Sequence, residues 1–319
     1  MWTNILFSAI SMGTIFLFGC TGEILTEKVG NLNLGIPGIM CIGAAGGGLA
    51  VTLYCGSTEN PNGFLVVFLA ILFSMLFSGL AGLLYAFLTV TLQGNQNVTG
   101  LAITTFGVGF MKFFSKLMYD QTLYVRSSVY FKNLFGLSEH PGDFARIFLS
   151  HGILVYLAIV IAILTQLLLR HTRVGLHLRA VGEAPATADA AGINVTKYKY
   201  IFITLGSAIA GLGGLYYVMD RSGGTTFAEA PIDSFGWMAV ALVIATMWKP
   251  VVAIFGSILF GGLSILGAQL TTISLAEQKI FAILPYLITV IVLIITSIRN
   301  KPENQPPAGL GVNYYREDR

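Results

Sequence analysis

The chain has 319 residues, of which 55% are hydrophobic and 10% are charged, and its mean hydropathy is +0.77. Because soluble domains carry about 25% charged residues, this composition excludes an ordinary soluble domain and indicates a multi-pass membrane protein. The net charge is only +3, and no basic stripe is interleaved with aromatic residues, which argues against nucleic acid as a partner.

Apolar runs separated by turn signals predict an all-α polytopic bundle of about nine membrane-spanning segments, with eight to ten compatible with the pattern. The predicted spans are residues 4–21, 35–56, 63–91, 98–118, 145–169, 200–219, 236–248, 250–273 and 280–298. The third is long enough for a kink or a break. Residues 236–248 are too short to cross a bilayer at about 1.5 Å per residue and suggest a half-helix. Residues 1–319 are predicted to form a single transmembrane domain.

Small residues recur four positions apart within several spans, as at Gly43 and Gly47, or Ser207 and Gly211. Faces of this kind let helices approach closely in lipid, where packing holds helices together. The sequence therefore predicts a tightly packed bundle. No internal repeat is evident, although a weak inverted repeat would escape inspection.

Two polar interruptions stand out, GNLNLGIPG at residues 30–38 and GNQNVTG at residues 94–100. Uncharged amides donate and accept hydrogen bonds without the cost of burying a charge. They predict a translocation path for a neutral polar solute, bordered by Asn33, Asn95, Gln96, Asn97 and Thr99. The alternative is an ordinary turn in each case, with polar groups that cap helices.

The sequence contains no GxxxxGK[ST], HExxH or GxSxG motif, and we expect no paired acids within a membrane helix. The spacing of Cys20, Cys41 and Cys55 matches no metal site. We therefore expect no catalytic residue, no metal and no bound cofactor in this chain. Without an acid that could relay protons in the membrane, the energy for transport is expected to come from another subunit.

The stretch RAVGEAPATADAAGINV, residues 179–195, is an alanine-rich polar island. Pro185 suits the first helical position and Gly192 suits the left-handed residue after the last turn, which predicts a short capped helix outside the membrane. The loop 170–199 is basic and the next polar loop is acidic, so loop 170–199 is predicted to be cytoplasmic. Alternation then places the N-terminus outside and the tail 299–319 in the cytoplasm.

The longer stretch RAVGEAPATADAAGINVTKYKYIFITLGSAIAGLGGLYYV resembles the signature region of ABC importer permeases of the simple-sugar, ribose and purine-nucleoside type. GEILTEKVGNLNLGIPG, TGLAIT, WKP, LFGG, LPYLITVIVLI and PPAGLGVNYYRE resemble the nucleoside branch, whose binding proteins are basic membrane lipoproteins. The likeness covers nearly the whole chain and is closest to the shorter of that branch's two permeases.

This resemblance implies a permease subunit, not an enzyme, that translocates a nucleoside-like small polar solute. The implied partners are an ABC ATPase that binds ATP, a second and longer permease that completes a heterodimer, an extracytoplasmic solute-binding lipoprotein, and membrane lipid. The motif match assigns six residues to coupling with the ATPase, namely Arg179, Gly182, Glu183, Ala188, Gly192 and Asn194.

The sequence departs from the nucleoside branch at Pro37, where those permeases typically have an acid, and in the outer loop 120–145, which matches nothing specific. These departures leave riboflavin and simple sugars as alternative solutes. An ATP-independent channel, a secondary transporter and a membrane enzyme are the alternatives from other classes.

Overall fold

The computed structural model describes residues 2–117, 121–132, 142–224, 229–269, 281, 283–299 and 304–315, and every regular element within them is helical. The helices are α1 (Trp2–Lys28), α2 (Ile36–Ser57), α3 (Gly63–Ala86), α4 (Gln96–Leu117), α5 (Gln121–Lys132), α6 (Asp143–Phe148), α7 (Ile153–His171), α8 (Arg173–Glu183), α9 (Pro185–Ala190), α10 (Val195–Tyr216), α11 (Glu229–Ala245), α12 (Pro250–Gln269) and α13 (Leu284–Arg299). The prediction of an all-α protein is confirmed.

Within the described residues, six helical stretches are long and apolar enough to cross a membrane. They are Trp2–Lys28, Ile36–Ser57, Gly63–Thr91, Gln96–Lys116, Ile153–His171 and Val195–Arg221. Shorter apolar stretches lie at Pro231–Ala245, Pro250–Leu266 and Leu284–Ile295. The multi-span architecture agrees with the sequence, whereas the count of nine stays a prediction.

Several predicted boundaries were wrong, for identifiable reasons. Helix α1 runs seven residues past its predicted end at residue 21, because other segments cover the polar residues of its last turns. The span predicted to begin at residue 145 begins at Ile153, since Ser150 Oγ and His151 Nε2 bond to carbonyls of α6 and close that short helix as a separate turn. The ends of the last two predicted spans lie partly outside the described residues.

The segment predicted as a half-helix over residues 236–248 is longer than expected. Helix α11 begins at Glu229 and ends at Ala245, and the chain then turns through Met247 and Trp248, both with φ of 55°. Left-handed backbone is uncommon for such residues, so the turn into α12 could not be read from residue preference.

Helices α1, α2 and α10 form the centre of the bundle. Helix α1 packs against α10 and α12, and α2 packs against α3, α4 and α10. The outward faces of α3 and α7 are apolar, with exposed leucines at positions such as Leu72, Leu80 and Leu164. These faces suit contact with lipid chains.

Small residues line the crossings between the central helices, as predicted. Gly22 of α1 lies against Gly206 of α10, and a Cβ on Gly43 of α2 would come within 2.5 Å of Gly211 in α10. Ser78 of α3 also packs against Gly211. The helices are close enough at these points that only glycine fits without movement of the neighbouring backbone.

Helices α3 and α10 end in the same way, 130 residues apart, although no repeat is evident in the sequence. A π-helical turn follows α3 at Phe87–Thr91 and follows α10 at Tyr217–Arg221. Each is closed by a backbone bond, Gly94 N to Leu88 O and Gly224 N to Val218 O, both at 2.9 Å. Because α3 and α10 run antiparallel, the two turns lie at opposite ends of the bundle, which is the relation expected of an inverted repeat.

One end of the bundle gathers five segments that are distant in sequence: residues 29–35, 92–96, 172–199, 246–249 and 304–315. We call it the tail end and call residues 304–315 the C-terminal strap. The N-terminus lies at the other end, where Thr3 Oγ1 donates to Asp143 at 3.5 Å. The strap and the N-terminus are therefore on opposite sides of the bundle.

Candidate functional site

Helix α9 occupies the tail end as a single short helix with defined ends. Pro185 is its first residue, and Gly192 follows its last turn with φ of +82°. Gly192 N donates to Asp189 O at 2.9 Å and Ile193 N to Ala188 O at 3.0 Å, which is the Schellman arrangement. The predicted capped helix is confirmed, and it is preceded by a second helix, α8, that the sequence did not predict.

The two sides of α9 differ in what covers them. Ala188 is 3% exposed and packs into the protein. The residues on the other side are exposed and small, comprising Ala186, Thr187, Ala190 and Ala191. No described residue buries that side, so α9 presents a smooth, uncharged surface without long side chains.

The other residues predicted to couple to the ATPase surround α9 in different roles. Arg179 lies exposed on α8. Asn194 caps α10, because its Oδ1 accepts a hydrogen bond from Lys197 N at 2.9 Å. Gly182 is buried where α8 crosses the end of α1, and a side chain there would collide with Lys28 O. Gly182 is thus a close-packing point and not part of the exposed surface.

The C-terminal strap binds the α8–α9 region through three hydrogen bonds. Gly309 N donates to Gly182 O at 2.9 Å and Ala308 N to Glu183 Oε2 at 3.0 Å. Tyr314 Oη donates to Asp189 Oδ2 at 2.7 Å. Gly311 N also donates to Gly30 O at 3.3 Å, which joins the strap to the end of α1.

The strap continues to the amide stretch predicted to border the translocation path. Gln96 is 4% exposed, and its Nε2 donates to Asn313 Oδ1 at 3.0 Å while its Oε1 accepts from Leu32 N at 2.8 Å. Asn313 Nδ2 donates in turn to Gln93 O at 2.7 Å. A continuous chain of polar contacts therefore links α9 to the start of α4.

The remaining residues of the amide stretch are not brought together. Asn95 is exposed and caps α4, since its Oδ1 accepts from Val98 N at 3.1 Å, as the alternative interpretation of a capping turn expects. Asn97 is exposed and Thr99 is half-buried. Asn33 is fully buried, its Oδ1 accepts from Gly35 N at 2.9 Å, and its Nδ2 has no partner among the described residues.

A buried pair of acids at the end of α1 contradicts the expectation that no membrane helix carries paired acids. Glu23 and Glu27 are 0% and 2% exposed and are hydrogen-bonded to each other. Asn33 N donates to Glu23 Oε1 at 3.0 Å, and Trp248 Nε1 donates to Glu27 Oε2. The prediction was wrong because α1 was ended at residue 21. The four-residue spacing of the acids was the signal that could have found them.

The shape of α9 leads to one prediction about Gly192. A Cβ at this position meets no atom within 4 Å, so substitution there adds no clash and tests the backbone conformation alone. A β-branched residue in left-handed backbone costs about 1–2 kcal/mol, whereas asparagine tolerates it. We expect Gly192→Val to lower solute uptake per assembled transporter severalfold and Gly192→Asn to retain it. Equal uptake by both variants, measured in cells at matched expression, would show that the end of α9 is not important.

Together these features define a class of protein: a membrane helix bundle whose polar end presents a short, capped, small-residue helix to something outside the chain. The family described as "Branched-chain amino acid transport system / permease component" matches residues 5–294, and the chain belongs to this family. It is therefore a permease component of an ABC transporter and a multi-pass protein of the plasma membrane. Membership implies an ATPase and a solute-binding protein as partners.

The relatives divide between two kinds of solute in their names. The chain is 32% identical to the nucleoside ABC transporter permease NupC of Lactococcus lactis subsp. cremoris, over 88% of each chain. It is 31% identical to the guanosine ABC transporter permease NupQ of Bacillus subtilis, over 85% of each. It is 28% identical to the putative glucose ABC transporter permease TsgC13 of Haloferax volcanii, over 98% of each. No solved structure shows a significant match.

Proposed function

We propose that this chain is the permease subunit of an ABC importer that moves a nucleoside-like small polar solute. The observation that carries the proposal is α9, a helix with buried Ala188 on one side and an uncovered small-residue surface on the other. The names of two of the relatives described above, nucleoside and guanosine permeases, support the solute class. A simple sugar is the second candidate because of the glucose permease relative, and riboflavin is a further alternative.

The proposed transporter contains three kinds of partner besides this chain. An ATPase subunit binds and hydrolyses ATP and receives α9, because no phosphate-binding loop occurs in this sequence. A second, longer permease completes the pore, and an extracytoplasmic lipoprotein delivers the solute. The chain itself forms one transmembrane domain with no cofactor of its own.

The tail end is proposed to face the cytoplasm, where the ATPase must lie. Loop 170–199 belongs to this end, as do Lys249 and the C-terminal strap. An odd number of spans is needed to place the N-terminus outside, and the proposed nine would consist of the six long and three shorter apolar helices among the described residues. This topology agrees with the basic character of loop 170–199.

The proposed coupling mechanism is a rigid-body movement that passes from α9 to the membrane helices. The ATPase binds the small-residue surface around Thr187 and displaces α9. Because the strap is hydrogen-bonded to Asp189, Glu183 and Gly182, it moves with α9. The strap carries the movement through Asn313 to Gln96 at the start of α4. A movement of this kind needs packed elements with two arrangements rather than new chemistry.

The proposed translocation path follows the exposed side of α4. Asn97, Thr105 and Lys112 are exposed on one face of this helix, although the exposed faces of α3 and α7 are almost wholly apolar. Polar side chains on a membrane helix face a partner or a water-filled path more often than lipid. We include the partly or fully exposed Asn95 and Thr99 at the tail end of this path, and with them the buried Asn33 and Gln96. The side-chain amide group of Asn33 has no partner among the described residues.

The solute assignment is tested by competition in cells that express the assembled transporter. Uptake of radiolabelled guanosine is measured in the presence of unlabelled nucleosides, riboflavin, ribose or glucose. The proposal expects nucleosides alone to compete at low excess. Competition by glucose or riboflavin without competition by nucleosides would reassign the solute, while the permease class would stand.

Asn97 gives a prediction for the path. Asn97→Leu is expected to reduce uptake about fivefold, because a polar solute passing this exposed amide loses a hydrogen bond worth about 1 kcal/mol. Val98→Leu, a change at the adjacent exposed position, is the control and is expected to have no effect. Gln96→Leu is not a clean test, since it would also leave Leu32 N and Asn313 without their partner. Normal uptake by Asn97→Leu would favour the capping-turn interpretation.

A further inference from the structure

A polar cleft of about 590 Å³ lies at the tail end between the π-turn after α3 and the start of α10. Its lining includes Thr89 and Gln93 on one side, and Asn194, Lys197 and Lys199 on the other. It shares Asp189, Gly192 and Tyr314 with the proposed coupling region and lies apart from the exposed face of α4. The proposed coupling movement gives no role to Lys199 or to the open volume of the cleft.

Lys199 is the unusual group in this cleft. It is 3% exposed, and it makes no hydrogen bond or ion pair with any part of the chain that the structure describes. A buried ammonium group without a partner is costly, so such groups are normally paired with an anion. Lys199 lines the cleft, and an anion there would satisfy it.

The start of α10 adds to the positive character of the cleft. This helix has 22 residues, and Val195 and Thr196 in its first turn also line the cleft. The first N–H groups of a helix have no acceptor within the helix and attract anions. Asp189 is the acid in the lining, and its Oδ2 accepts the hydrogen bond from Tyr314, while Lys197 contributes a second cation.

An apolar groove of about 520 Å³ begins at Tyr200, the residue that follows Lys199 in α10. Tyr200 lines this groove and is hydrogen-bonded to Thr91, and the groove continues between α3 and α10 along Leu76, Leu80 and Leu205. Leu76 and Leu80 are each about half exposed on the membrane-facing side of the bundle. A polar cationic cleft therefore adjoins a groove wide enough for hydrocarbon.

We propose that this pair of cavities binds one anionic phospholipid, with its phosphate beside Lys199 and the start of α10 and an acyl chain in the α3–α10 groove. A free phosphate ion would satisfy Lys199 but would leave the adjoining groove unexplained. Basic pockets between membrane helices on the cytoplasmic side are suited to anionic headgroups. The lipid would join α3 to α10 at the end of the bundle that carries α9.

The test uses the full-length chain in detergent, incubated with phosphatidylglycerol or phosphatidylcholine and examined by native mass spectrometry. Wild type is expected to retain one phosphatidylglycerol and no phosphatidylcholine. Lys199→Met is expected to reduce that occupancy about tenfold without loss of folded protein, since it removes an unpaired buried charge, and Lys199→Arg to keep it. Arg146→Gln, which removes an exposed charge at the opposite end, is the matched control.

A second variant separates lipid from free phosphate. Leucine at Gly79, which faces the groove, should block the acyl chain but leave the cleft open. Gly79→Leu should therefore lose phosphatidylglycerol, while any weak binding of inorganic phosphate stays as in wild type. If wild type and Gly79→Leu both bind inorganic phosphate tightly, the ligand is free phosphate and the lipid assignment is overturned. Phosphatidylglycerol binding that appears only in the double variant Glu317→Gln, Asp318→Asn would assign the cleft to the chain's own C-terminal acids. Equal phosphatidylglycerol occupancy in Lys199→Met and wild type would show that Lys199 does not form a lipid site.

Discussion

Replacing Thr187 with tryptophan is expected to abolish ATP-driven uptake, by more than tenfold, while the helix bundle stays folded. Thr187 lies on the exposed side of α9 beside Ala186 and Ala190, so a large side chain projects away from the chain. It would prevent close approach of a complementary partner surface, because the fully buried centres of interfaces are packed as densely as protein interiors. The measurement is solute uptake together with the amount of ATPase that co-purifies.

The control for this experiment is Leu92→Trp. Leu92 is 59% exposed at the same end of the bundle but lies outside α9. It should leave uptake and co-purification unchanged. If Thr187→Trp transports normally, the exposed side of α9 is not the docking surface, whatever the family resemblance implies.

The second large effect is expected at Asn313 in the C-terminal strap. Asn313→Leu removes the hydrogen bonds to Gln96 Nε2 and to the carbonyl groups of Gln93 and Gly94. Leaving buried donors and acceptors unpaired costs about 1–3 kcal/mol each, so the strap should detach from the start of α4. We expect the assembled transporter to continue hydrolysing ATP while solute moved per ATP falls about tenfold.

A purely structural role for the strap predicts a different outcome. In that case uptake and ATP hydrolysis would fall together, in proportion to the amount of assembled protein, and their ratio would not change. Val312→Ala, at a 60% exposed position of the same strap, controls for general effects of substitution there. Tyr314→Phe, which deletes only the hydrogen bond to Asp189, should shift the same ratio to a smaller extent.

Helix α9 could be predicted from the sequence because the signals that mark its ends are local. Pro185 and Gly192 mark its two ends through backbone conformation, and the structure gives both residues the expected positions. The pairs of small residues four positions apart within a helix were likewise sufficient to predict close crossings. Gly43 and Gly211, which belong to two such pairs on different helices, lie against each other at one of these crossings. Such features depend on residues within a few positions of each other.

The parts that could not be predicted depend on contacts between distant segments. Glu23 and Glu27 looked like the end of a span because acids are costly in a membrane, yet Asn33 and Trp248 cover them and the helix continues. The partner of Gln96 lies 217 residues away in the strap. The C-terminal strap, which is rich in polar residues and glycine, has no periodic hydrophobic pattern. Its position across the tail end could therefore be established only from the structure.

We propose that this chain is a passive membrane subunit driven by ATP hydrolysis in a partner. The most direct measurement is uptake of labelled nucleosides into proteoliposomes that contain the chain alone, or the chain with its ATPase, second permease and binding protein. We expect no ATP hydrolysis and no uptake by the chain alone, and concentrative uptake only with every subunit and ATP. Concentrative, ionophore-sensitive uptake by the chain alone would contradict it in favour of a secondary transporter, and passive flux would contradict it in favour of a channel.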